Sequence, residues 1–179
     1  EIWYFLVVFM DGGRVMINIL YEDNHVLCVV KPANLPVQAD NTKDEDLLTL
    51  VKQYLKEKYN KPGNVYLGLV HRLDRPVGGT MILAKTSKAA SRLSESIRVR
   101  DIDKVYYAKI DKKVTDEDIA KFKAGITLDD GYLCKEAKLE ILNSTEDGSE
   151  VMITIQEGKF HQVKRMFEAV GKSVIYLKR

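Results

Sequence analysis

Residues 66–84 read YLGLVHRLDRPVGGTMILA. Two short apolar runs, Tyr66 to Val70 and Met81 to Ala84, have the length and character of buried strands. Between them, His71 to Thr80 carries Pro76, Gly78 and Gly79 among charged residues. A proline and two glycines so close together make this a loop joining two strands, where polar groups are displayed on a rigid scaffold. Asp74 sits in the middle of that loop, flanked by Arg72 and Arg75.

The strand–loop–strand reading extends in both directions. Upstream, Ile17 to Leu20 and Val26 to Val30 read as strands separated by the polar turn Glu22-Asp23-Asn24, and Lys31-Pro32 ends the second. Residues 37–46 are polar and read as loop. Leu47, Leu50, Val51, Tyr54 and Leu55 follow the spacing of an amphipathic helix, stopped by Lys61-Pro62-Gly63. Downstream, Ser87 is placed to N-cap a helix with Ala90, Leu93 and Ile97 on its apolar face. Lys104 to Ile110 alternates as a strand. Thr115 opens a helix with Asp116, Glu117 and Asp118 in its first turn, and Ile119 and Phe122 face inward before Gly125. Ala137 to Leu142 and Val151 to Gln156 pair as a hairpin around Asp147-Gly148. A helix from His161 to Val170 buries Val163, Met166, Phe167 and Val170, and Val174 to Leu177 forms the last strand. Strands with interspersed helices and at least one hairpin predict an α+β fold, with a mixed, largely antiparallel sheet and flanking helices.

At 179 residues the chain suits one ordinary domain, or one domain plus a small appendage. Residues 16–179 are read as that domain. Residues 1–15, an apolar run ending near Asp11, are too short to span a bilayer and lack the basic start of a signal peptide. They are read as an extension before a natural start at Met16, with an extra strand as the alternative. A composition 45% hydrophobic and 30% charged excludes a disordered tail or a fibre. Net charge is only +2, so its distribution matters more. From Lys85 to Lys109 seven basic residues face three acids, and from Lys159 to Arg179 six face one. Asp111 to Glu150 holds eleven acids against six lysines. The two basic stretches suit a phosphate-binding face with the acidic stretch turned elsewhere, or an ordinary solvated surface. Cys28 and Cys134 are far apart, and His25, His71 and His161 are scattered. Free thiols in a reducing cytoplasm and no metal site are expected.

Three places carry possible chemistry. Asp74 beside guanidinium groups should stay ionised and can act as a nucleophile, although an Arg-Asp pair fixing a turn reads the same. In Lys104-Val105-Tyr106-Tyr107-Ala108 the two tyrosines face opposite sides of a strand, so one ring can meet a flat ligand or simply pack. In Gly158-Lys159-Phe160-His161-Gln162-Val163-Lys164-Arg165-Met166-Phe167, cations cluster at a helix start, suited to RNA phosphates, to a distant carboxylate, or to solvent. An aspartate, an aromatic platform and a basic cluster, without metal or glycine-rich nucleotide loop, together suit chemistry on a nucleoside.

HRLDRPVGG closely resembles the catalytic signature of the RluA-type RNA pseudouridine synthases, and INILYEDNHVLCVVKPANLPV resembles that family's opening strands. KVYYAKI resembles the family's tyrosine motif, and EGKFHQVKRMFEAVG resembles the basic motif of the RsuA-type branch. The resemblance runs from Ile17 to Arg179, RluA-like to about Arg100 and RsuA-like from Asp103. It implies a catalytic domain without an S4 domain and shortened at its C-terminus. It further implies Asp74 as the nucleophile at the ribose C1′ side of a target uridine, Tyr106 stacking on the uracil, and Lys164 as the ion-pair partner of Asp74. Arg72 would fill the space left by the flipped nucleotide, and His71, Arg75, Gln162 and Arg165 would contact the RNA. No cofactor is expected. The implied partner is structured RNA, ribosomal rather than transfer RNA, with no DNA and no membrane, for a cytoplasmic monomer. The competing readings are an inactive RNA-binding module and an engineered chain, each keeping the synthase fold.

Overall fold

The computed structural model describes residues 4–10, 13–42, 44–99 and 102–179. The chain divides into two compact units, Glu1–Val99 and Arg100–Arg179.

The first unit contains β1 (Tyr4–Met10), β2 (Gly13–Glu22), β3 (Val26–Lys31), α1 (Leu47–Lys58), β4 (Gly68–Leu69), β5 (Gly79–Ala84) and α2 (Ser87–Arg98). Its five-stranded sheet has the order β1-β2-β3-β5-β4, each neighbouring pair antiparallel. The stretch read as an extension or an extra strand is a strand: β1 pairs with β2 from Tyr4↔Ile19 to Met10↔Gly13. Along β3 every second residue is buried, placing Leu27, Val29 and Lys31 on the core face. Asp46 caps α1 by accepting from the Thr49 amide at 3.0 Å. Leu47, Leu50, Val51 and Leu55 are buried, the face read from their spacing.

Two details differ from the sequence reading. The cap of α2 is Thr86, whose extended backbone lets Oγ1 accept from the Ala89 amide at 3.2 Å, so Ser87 becomes the first helical residue. The strand expected over residues 66–70 pairs only at Gly68 and Leu69. A Cβ on Gly68 would lie 3.0 Å from that of Ala90, so the missing side chain lets α2 close on β4.

The second unit contains β6 (Lys104–Ile110), α3 (Asp116–Ala124), β7 (Lys138–Thr145), β8 (Gly148–Ile155), α4 (Gln162–Ala169) and β9 (Val174–Lys178). Its sheet has the order β7-β8-β6-β9, again antiparallel throughout. The expected hairpin is β7–β8, closing at Thr145↔Gly148. A Cβ at Gly148 would sit 2.8 Å from the Ile110 carbonyl oxygen, so glycine allows β8 to start against β6. Thr115 and Asp118 form a reciprocal capping box on α3. The core joins Ala108, Ile110, Phe122, Val151, Ile153, Val163, Met166 and Phe167. Phe122 and Phe167 meet with ring centroids 4.8 Å apart, tying α3 to α4. Each unit is thus a sheet with two helices, the α+β class. No helix among the described residues is long and apolar enough to cross a membrane.

Candidate functional site

The loop carrying Asp74 begins where β4 stops. The Ile82 amide, next along β5 after the partners of β4, donates to His71 Nε2 at 3.0 Å. A side-chain ring thereby takes the place of a strand carbonyl, and the chain is free to leave the sheet. Leu73 and Val77 are buried and anchor the loop, whereas Asp74 and Arg75 between them, and Arg72 before them, are exposed. The Val77 amide donates to the Asp74 carbonyl at 2.9 Å, closing a turn over Arg75 and Pro76. A Cβ on Gly78 would lie 3.3 Å from the Ala33 amide nitrogen, so glycine lets the loop's exit pass close to the end of β3.

The loop is held from beneath by Lys31, which is fully buried. Its ammonium donates to the carbonyls of Leu35 at 2.8 Å, Arg75 at 3.0 Å and Pro32 at 3.1 Å. The Asn34 amide, at a left-handed residue with φ 68°, donates to the same Arg75 carbonyl at 2.8 Å. Burial pushes the Lys31 ammonium down to about 8, the charge of Asp74 works to raise it, and that of Arg75 lowers it. The sequence reading gave Lys31 no role. Its signal was nevertheless present: Leu27 and Val29 alternate inward, and Lys31 falls in phase with them just before Pro32.

In the second unit, Tyr106 shares the core face of β6 with Ala108 and Ile110 and packs, partly buried, against that core. Tyr107 lies on the other face. Beyond β8, Glu157 is 2% exposed, and its carboxylate accepts from Tyr132 Oη at 2.6 Å, the Lys135 amide at 2.9 Å and Gln162 Nε2 at 3.0 Å. Gln162 Oε1 accepts from the Lys159 amide at 3.0 Å. Gln162, expected to contact RNA, is instead buried at 4% exposure with both ends of its amide holding the loop before α4. Glu157 was missed because nothing in Glu-Gly-Lys distinguishes a buried carboxylate from a solvated one. Lys164, in the first turn of α4, is half-buried.

Arg75 and Arg165 are engaged by carboxylates. Arg75 reaches Asp44 at 2.5 Å and Asp40 at 3.7 Å, and Arg165 reaches Asp129 at 2.5 Å and Asp130 at 2.7 Å. The acidic stretch therefore does not turn wholly away from the basic one. The Arg75 pairs, exposed on both sides, are worth about 0–1 kcal/mol, whereas the Arg165 side chain is largely covered. Among the described residues no group of His, Cys, Asp and Glu is arranged to hold a metal ion.

The first unit thus offers an exposed carboxylate on a rigidly seated loop, and the second a partly buried tyrosine and a helix start carrying Lys164 and Arg165. A family model described as RNA pseudouridylate synthase matches residues 25–169, and the chain belongs to that family. It is 36% identical over 108 residues to an uncharacterised RNA pseudouridine synthase, YtzG, of Bacillus subtilis, covering 60% of this chain and 44% of that protein. It is also 36% identical over 159 residues to ribosomal large subunit pseudouridine synthase B of Bacillus subtilis, covering 88% of this chain and 61% of that protein. The chain thus spans about half the length of these relatives. A solved structure of human RNA pseudouridylate synthase domain containing 4 superposes with a TM-score of 0.69 at 21% identity, over 88% of this chain and 66% of that one, and shares the fold.

Proposed function

We propose that this chain is the catalytic portion of an RNA pseudouridine synthase that converts a uridine of structured RNA, ribosomal RNA foremost, to pseudouridine, with Asp74 as nucleophile. The observation that carries this reading is the seating of Asp74: an exposed carboxylate on a loop fixed through its backbone by buried Lys31, within the region matched by the family. The ribosomal substrate rests on the name of the large-subunit relative.

In this reading the Asp74 carboxylate acts at C1′ and the N1–C1′ bond breaks. The uracil turns, C5 bonds to C1′ and gives up its proton, and N1 gains one. Atoms balance without oxidant or reductant, so the chemistry calls for no cofactor. The uridine must first leave its stack, which costs a few kcal/mol. Arg72, exposed two residues before Asp74, is proposed to occupy the vacated space. Tyr106 is proposed to stack on the detached uracil, an interaction worth about 1–3 kcal/mol, enough to keep it bound while it turns. Lys164 is proposed as the cation that keeps the nucleophile ionised against the charge of the RNA.

The test is incubation of the protein with ribosomal RNA transcripts, followed by chemical marking of pseudouridine and mass spectrometry. Wild type should form pseudouridine at a defined position. Asp74→Asn keeps the shape but loses the nucleophilic charge, and should bind the RNA normally and form none. Pseudouridine formed by Asp74→Asn would remove Asp74 from the mechanism.

A further inference from the structure

Phe160 is a large apolar side chain left 72% exposed. Its ring stacks on His161, with centroids 3.8 Å apart and planes inclined by 21°. One face of the phenyl ring is therefore covered by imidazole and the other is presented outward. The stack depends on His161 adopting φ 49° and ψ 31°, a left-handed conformation that costs a residue with a side chain about 1–2 kcal/mol. The bonds that hold the chain there run through two buried side chains, Gln162 and Glu157. Gln162 ties the Lys159 amide to Glu157, and Glu157 is fixed in turn by Tyr132 and the Lys135 amide. A rigid internal network thus supports a strained turn whose visible product is an outward-facing aromatic ring. Strain of this kind persists where the surrounding structure over-determines it and gathers at functional positions.

The surroundings define the ligand. Lys159 lies 4.1 Å over the Tyr132 ring, Lys104 Nζ donates to the carbonyls of Gln156 at 3.3 Å and Glu157 at 3.1 Å, and Lys164 follows on the first turn of α4. A single aromatic face among lysines is a poor seat for a protein or a lipid surface, which need a contiguous apolar patch. It suits a flat apolar group attached to a polyanion. We propose that the outer face of Phe160, backed by His161, is a stacking platform for an unpaired base of the RNA, separate from the Tyr106 position that takes the reacting uracil. The proposal rests on the reading of the chain as an RNA-modifying enzyme.

The experiment measures binding, not conversion. A short fluorescein-labelled oligouridylate and an abasic ribose-phosphate oligomer of the same length are titrated with wild type, Phe160→Ala and Phe160→Tyr, and anisotropy is read across a salt series. Phe160→Ala is expected to bind the oligouridylate about tenfold more weakly, with the abasic oligomer bound as by wild type. The slope of log K against log salt should be unchanged, because no phosphate contact is lost. Phe160→Tyr, which keeps a flat face, should bind both oligomers as wild type does. Equal weakening on both oligomers, no weakening in Phe160→Ala, or wild type binding neither would each overturn the platform. Failure of the synthase reading shows separately, as wild type that binds RNA and forms no pseudouridine.

Discussion

At the scale of single residues, Lys31 decides whether Asp74 has a fixed position. Its fully buried ammonium serves three backbone carbonyls, and a buried polar group left unmet costs about 1–3 kcal/mol. Lys31→Met should therefore lower the unfolding free energy by about 3 kcal/mol or more, read from urea melts. It should also cut turnover far more than RNA affinity, since the loop would lose its seat and the phosphate contacts would not. Wild-type turnover in a well-folded Lys31→Met would show that the loop holds itself. The sequence placed Asp74 and Arg72 on a loop and Tyr106 on a strand because a charged loop between apolar runs and an alternating strand are local patterns. It did not reveal Glu157, nor the burial of Gln162, because whether a polar side chain faces solvent or a neighbouring amide depends on elements distant in the chain. Arg75 and Arg165 were read as RNA contacts from the resemblance. Their partners, Asp44 and Asp129, lie 31 and 36 positions away, beyond any local pattern.

At the scale of elements, the last residue of β2 organises one edge of the first unit. Glu22 is met by Tyr54 and Lys58 of α1, by Tyr59 at that helix's end, and by Lys85 just after β5, at 2.9, 2.8, 2.6 and 2.8 Å. Burial raises the carboxyl's pKa, but the four hydrogen bonds outweigh it and hold the group at about 2, below its usual 4.5. Because the folded value is the lower one, the stabilisation is complete above about pH 4.5 and is lost as pH falls towards 2. A gap of this size corresponds to about 3 kcal/mol. Chemical denaturation between pH 5 and about 2 should show this loss in wild type, and Glu22→Gln should be less stable at neutral pH with a flatter acid limb. Superimposable pH profiles would mean that the cluster adds nothing net. The helices and the β7–β8 hairpin were legible because period and caps are encoded within each segment. The brevity of β4 was not, because it depends on His71 taking a strand's hydrogen bond with its ring.

At the scale of the whole molecule, the division at Val99 was invisible to composition, since no Gly-, Ser- or Pro-rich linker marks it. The resemblance nevertheless changes branch between Arg100 and Asp103, close to that boundary. Binding of the intact chain to RNA should fall steeply with salt, because lysines and arginines of both units would displace counterions from the phosphates. Within that total, two lysines of one motif should separate. Lys164→Met should depress isomerisation much more than affinity, whereas Lys159→Met should weaken binding, lower the salt slope by about one and leave turnover of bound RNA near normal. Identical, purely binding defects in the two would make Lys164 a phosphate contact. The seat beneath the loop bears on how such an enzyme changes targets over time. Lys31 and Asn34 both address the carbonyl oxygen of Arg75, an atom that every amino acid possesses. The fastening is therefore indifferent to which side chains stand at positions 72 and 75. A lineage can rewrite those positions to suit a new RNA while Asp74, the proposed nucleophile, keeps its coordinates, and novelty in recognition does not have to be won against the chemistry.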